Sequence, residues 1–140
     1  MADVFDRQTR SRVMATIRGK DTSPELTVRR FLHRRGFRFR IHARNLPGRP
    51  DLVLARHRTV IFVNGCFWHQ HAECRFAVMP KSNRSFWREK LRSNQIRDRR
   101  TAARLRRAGW HVLTIWECEI GQAGLERLYR RVTSLSRHRQ

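Results

Sequence analysis

Leu46-Pro47-Gly48-Arg49-Pro50-Asp51-Leu52-Val53-Leu54 is followed, after Ala55-Arg56-His57-Arg58-Thr59, by Val60-Ile61-Phe62-Val63-Asn64-Gly65-Cys66-Phe67-Trp68-His69-Gln70-His71. Asn45-Leu46-Pro47-Gly48 is a turn, and Leu52–Ala55 and Val60–Val63 are unbroken apolar runs of strand length, joined by Arg56-His57-Arg58. Continuous rather than alternating runs belong to central strands covered on both faces. Working outward, Ser23-Pro24-Glu25 reads as a helix start: serine caps, proline is preset for the first position, and a carboxylate suits the positive end of the dipole. Leu26, Phe31 and Leu32 then face a core up to Gly36, and Phe37–Ile41 alternates as a strand. Ser85–Arg107 reads as a long basic helix and His111–Trp116 as a further buried strand. Leu125, Leu128, Tyr129, Val132 and Leu135 recur at helical spacing. Helices flanking a small mixed sheet make an α/β domain.

The chain is 140 residues with 32 Lys plus Arg against 11 Asp plus Glu, a formal charge of +21. That length suits one domain spanning 1–140, with a basic helical arm over 1–20 and a basic tail over 133–140. No apolar run approaches the roughly 18 residues of a membrane span. The opening MADVFDRQTRSR lacks the apolar core of a secretory signal, so a cytoplasmic location is expected. Only Lys20, Lys81 and Lys90 are lysines; the other basic residues are arginines, whose planar fork suits phosphate oxygens and stacks on bases. Nucleic acid is the partner this balance implies, rather than an anionic membrane, because the charge runs from Arg7 to Arg139 instead of lining one amphipathic helix.

Three cysteines cannot all pair. Cys66, His69, His71 and Cys74 fall within nine residues, and Cys118 follows the strand His111–Trp116, so five donors stand where a tetrahedral zinc needs four. Either His69 or His71 is surplus, and spacing does not choose between them. Three buried free thiols are the competing reading. Arg49-Pro50-Asp51 puts a carboxylate at the mouth of a buried strand, where Mg²⁺ or a salt bridge to Arg49 would offset its charge. With Glu25 and His69 available as proton-handling groups, the constellation suits phosphodiester hydrolysis. Phe67, Trp68, Phe86 and Trp87 lie in basic surroundings, and rings so placed can wedge between base pairs.

These blocks resemble the very short patch repair (Vsr) DNA mismatch endonucleases. The likeness is carried by Thr9-Arg10-Ser11, Met14, Ile17, Asp21-Thr22 and Glu25, by Leu46–Asp51, Val60-Ile61-Phe62 and Gly65–His69, and by Phe86-Trp87, Asp98-Arg99-Arg100, Gly109-Trp110, Val112-Leu113 and Trp116-Glu117-Cys118. The resemblance implies a restriction-endonuclease-like fold, a structural zinc, and Mg²⁺-dependent nicking 5′ of the thymine in T:G mismatches left by deaminated 5-methylcytosine. It implies that Asp51 and the main-chain carbonyl of Val63 ligate Mg²⁺, that His69 moves a proton, and that Glu25 acts through metal-bound waters. Cys66, His71, Cys74 and Cys118 would hold Zn²⁺. Phe67, Trp68 and Trp87 would form a wedge, with Met14 and Arg49 also on DNA. A bacterial, nucleoid-associated monomer is implied, linked to a cytosine-5 DNA methyltransferase, mismatch-repair factors and a DNA polymerase. Asn64 stands where the best-known members carry an active-site histidine, and an amide cannot take a proton as imidazole does. The interval from His71 to Cys74 is one residue longer than theirs. Ile61-Phe62-Val63 also occupies the place of the acid-x-Lys common in restriction enzymes. The alternatives are a zinc-containing binding protein with an impaired site, or a nickase of other mismatches.

Overall fold

The computed structural model describes residues 22–138. The first helix, α1, spans Ser23–Arg34. Its N-cap is Thr22 rather than Ser23: the Thr22 hydroxyl accepts from the Glu25 N–H at 3.4 Å, which shifts Pro24 to the second helical position. Val28, Phe31 and Leu32 are its buried apolar face, and Leu26 is only half-buried. Gly36, at φ +90°, closes the helix: its N–H reaches His33 O at 3.0 Å, and that of Phe37 reaches Leu32 O at 3.0 Å. This reciprocal pair needs a left-handed residue that glycine adopts without strain.

The strand expected over Phe37–Ile41 does not form. Phe37 is taken up in the helix cap, and only Arg40 pairs, exchanging two 2.9 Å hydrogen bonds with Val53. His42, at φ 56°, then turns the chain away. The other strands follow the apolar runs. β1 (Leu52–Leu54) is antiparallel to β2 (Thr59–Asn64), which is parallel to β3 (His111–Trp116), in the order β1-β2-β3. The sheet is thus mixed, as its sequence suggests.

Two helices follow the last two strands in turn: α2 (Arg84–Arg107) precedes β3, and α3 (Gln122–His138) follows it, so residues 133–138 continue a helix rather than start a tail. The strands alternate their burial between two layers. Leu52, Leu54, Ile61, Leu113 and Ile115 meet α1 and α3 on one face. Val53 and Val60, with Phe62 and Val112 beside them, meet Leu105 of α2 on the other. Coverage of both faces explains the unbroken apolar runs. The basic helical arm expected over residues 1–20, with Met14, lies outside the described residues. No described helix is long and apolar enough to cross a membrane.

Candidate active site and metal centre

The turn that delivers Asp51 is clamped to α2. Arg49 N–H bonds Leu46 O at 3.2 Å, and Gly48 sits at φ +73° with its Cα so close to Thr101 that a Cβ there would lie 2.2 Å from the threonine methyl. Glycine is therefore required twice, for conformation and for approach. Beyond it Arg49 is exposed, also left-handed at φ 48°, and pairs with no carboxylate among the described residues. The carboxylate of Asp51 instead turns inward, where Oδ2 accepts the Val63 N–H at 2.7 Å. Val63 thereby braces Asp51 through its amide.

Burial pushes the Asp51 carboxyl up to about 6, against the Val63 hydrogen bond, and the Glu25 carboxylate pushes the same way; Arg29 and His69 pull it down. Glu25 is itself buried and is joined by Arg29 at 3.2 Å, one helical turn along. Two carboxylates in reach of one another at the end of a buried strand form a hard-oxygen set with excess negative charge. That arrangement suits a divalent cation such as Mg²⁺.

His69 stands beside this pair. Its Nδ1 lies 2.6 Å from Asp98 Oδ2, so Nδ1 carries the hydrogen and Nε2 is left as the acceptor. Asp98 was part of a sequence motif without an assigned role. The signal that points to it is periodic: Trp87, Leu91, Asn94 and Asp98 fall on one face of α2. Trp87 and Leu91 pack against Trp68, Asn94 Nδ2 donates to Trp68 O at 3.1 Å, and Asp98 takes His69. One helix face thus grips the whole loop.

The second cluster is the predicted zinc set. Donor atoms of Cys66, His71, Cys74 and Cys118 all lie within 4.8 Å of one another, a group able to hold a metal ion, and His69 is directed elsewhere. His71 stacks on Trp116 at 4.2 Å and 9°, and its Nδ1 is 3.4 Å from Cys118 Sγ. Gln70 (φ 48°) and Glu73 (φ 58°) are left-handed, which lets the long interval from His71 to Cys74 fold back at a cost of about 1 kcal/mol or more per residue. A thiolate-imidazole set joining this loop to the end of β3 suits Zn²⁺. Burial pushes the Cys66 thiol up to about 12, so metal binding there must expel a proton.

The aromatic residues form a third cluster. Phe67, Trp68 and Trp87 meet edge to face at 5.2–5.7 Å. Trp68 and Trp87 are 7% and 1% exposed, so in this conformation they form the packed base of the cluster rather than a projecting wedge. Phe67 is half-buried, and Phe86, edge-on to Trp87 at 5.2 Å, is 56% exposed. The hydrophobic effect accounts for this placement: packing against Leu91 and one another removes the apolar area of the two indoles from water.

Residues 2–75 match the family described as DNA mismatch endonuclease Vsr. This chain belongs to that family. It is 45% identical over 120 residues to the DNA mismatch endonuclease Vsr of Escherichia coli, covering 86% of this chain and 76% of that protein. It is 44% identical over 124 residues to the type II nicking enzyme V.XorIIP of Xanthomonas oryzae (89% and 90%). It is also 42% identical over 137 residues to V.NmeAIP, another type II nicking enzyme, of Neisseria meningitidis (96% and 97%). The mixed sheet between helix layers is the restriction-endonuclease-like fold of this Vsr family.

Proposed function

We propose that this Vsr-family chain is a cytoplasmic, nucleoid-associated monomer of one domain that nicks one strand of duplex DNA 5′ of the thymine in a T:G mismatch, using Mg²⁺. The observation that carries the reading is the part-buried Asp51 carboxylate, whose Oδ2 is held by the Val63 N–H and which desolvation raises to about 6 with Glu25 and His69 acting on it. A binding module has no use for so costly a group. Asp51 and Glu25 would hold the cation, together with the main-chain carbonyl of Val63. When bound, Mg²⁺ supplies positive charge for the scissile phosphate and acidifies water. Glu25 and Arg29 hold each other in place, and the Val63 N–H fixes the Asp51 oxygen it binds.

His69 Nε2 takes the proton of the attacking water. Asp98 keeps the ring in the tautomer that leaves Nε2 open and stabilises the imidazolium that follows. Asn64 closes β2 opposite Trp116, where it can orient a water but cannot accept its proton. Cys66, His71, Cys74 and Cys118 hold Zn²⁺ and fix the loop that carries His69. Phe67, backed by Trp68 and Trp87, enters the base stack beside the mismatch, with Arg49 and Met14 on the duplex. The deaminated base originates from a cytosine-5 methyltransferase, and mismatch-repair factors and a polymerase complete the repair.

Asn64 favours a second reading, a zinc-containing protein that binds mismatched DNA without cutting it. The test is a labelled duplex with one T:G mismatch beside its T:A control, with and without Mg²⁺. A mismatch-dependent nick that Asp51→Ala abolishes supports the enzyme; a nick that persists in Asp51→Ala refutes the assigned role.

A further inference from the structure

β3 is an edge strand of the sheet. The His111 N–H bonds Arg58 O at 2.8 Å, toward β2, and in a parallel ladder alternate residues face alternate sides. The N–H and C=O groups of Val112 and Thr114 therefore point away from the sheet, and no described residue pairs with them. The next outward N–H, of Trp116, is taken by Glu119 Oε1 at 3.2 Å. The edge is thus closed at the metal-cluster end and open at the other.

Along the open part runs a cavity of about 500 Å³. Its walls come from both layers: Arg106 and Trp110 on the α2 side, and Arg130, Arg131, Ser134 and Leu135 on the α3 side, with His111–Leu113 as its floor. The guanidinium groups of Arg106, Arg130 and Arg131 form no ion pair or hydrogen bond with any described residue. The slot lies at the start of β3, about 16 Å along the strand from the end where Asn64 faces Trp116.

We propose that this slot is a docking site for an acidic, extended segment of a partner protein, which adds a strand to β3 and places carboxylates against Arg106, Arg130 and Arg131. The unpaired main-chain groups favour a peptide over a duplex, because only a peptide backbone can continue the ladder. The arginines select acidic side chains, and Val112 and Leu135 provide apolar contact between them. The site is independent of the proposed nuclease centre and stands whether or not that centre cuts DNA.

The test uses the full chain and a fluorescein-labelled peptide of about ten residues alternating Glu and Val. The account expects saturable binding, at least about tenfold weaker for Arg130→Glu/Arg131→Glu and absent for a Lys-Val peptide. Bound peptide is expected to slow amide exchange at Val112 and Thr114 by at least about tenfold, with His111 and Leu113 unchanged. Circular dichroism of the double variant checks that it is folded. No binding at about millimolar peptide, or binding indifferent to the charge reversal, overturns the proposal. So does protection of Val112 and Thr114 in the free chain, which would mean that its own remaining residues or a second copy occupy the edge. A duplex whose affinity falls about tenfold in the double variant, without peptide protection of these amides, would reassign the slot to DNA.

Discussion

Asp51→Asn is expected to stop nicking and, in the same protein, to stabilise the metal-free fold. Folding raises the Asp51 carboxyl from 3.8 to about 6, chiefly by burial. The folded chain therefore holds a proton at this site that the unfolded chain has released between those two values, so stability falls as pH rises through that window. Two pKa units correspond to about 3 kcal/mol near pH 8, and about half of that near pH 5. Asparagine keeps the shape and its amide oxygen still accepts the Val63 N–H, but it carries no charge to bury. Thermal unfolding of both proteins in EDTA should show the variant melting roughly 5–10 °C higher near pH 8, with a smaller gap near pH 5. Measuring the difference between the two proteins cancels the titrating groups that are not coupled to Asp51. An equal or lower melting temperature for the variant near pH 8 would refute the claim that desolvation outweighs the groups that compensate this carboxylate. Added Mg²⁺ should narrow the gap by stabilising only the wild type.

His69→Ala is expected to lower the single-turnover nicking rate by about 10²-fold or more, and Asp98→Asn by less, with a shifted pH profile; equal rates at all pH values would remove the pair from the mechanism. Cys118→Ser should cost the chain its bound metal, measured by elemental analysis, and lower its melting temperature. Unchanged metal content would exclude the four-donor set. Gly48→Ala should destabilise by at least about 1 kcal/mol in urea melts, because it adds both a left-handed penalty and a clash with Thr101; a neutral result would show that the turn yields. Phe67→Ala should weaken discrimination between T:G and T:A duplexes in binding titrations, whereas Trp87→Ala should mainly destabilise the fold, by about 3 kcal/mol or more.

Elements whose burial is two-sided were legible from residue type alone. Val60–Val63 and His111–Trp116 read as strands because helices cover both faces and the pattern carries no competing period. Phe37–Ile41 misled because alternation is necessary for a strand but pairing is not local: β1 offers Arg40 only Val53, and the Gly36 cap has already used Phe37. Thr22 and Ser23 are both competent caps, and only the path of the backbone chooses between them. The metal set was visible as five donors, but the choice of His71 rested on family likeness until the stack on Trp116 and the pairing of His69 with Asp98 separated the two histidines. Asp98 lies 29 residues from His69, a distance that no motif spans. Basic neighbours make the aromatic residues look like a wedge, whereas burial of Trp68 and Trp87 depends on Leu91, one turn beyond Trp87 on the helix.

The central claim is that this Vsr-family chain cuts, rather than only recognises, mismatched DNA. The most direct measurement is single-turnover incubation with Mg²⁺ of a duplex carrying one T:G mismatch in varied flanking sequence, each strand labelled differently and the products mapped on a denaturing gel. The account predicts one cut, in the thymine strand, on the 5′ side of the mismatched T, with the guanine strand and the T:A control intact. Tight mismatch binding with no cut in any flanking sequence would contradict it and leave a zinc-containing binding protein in its place.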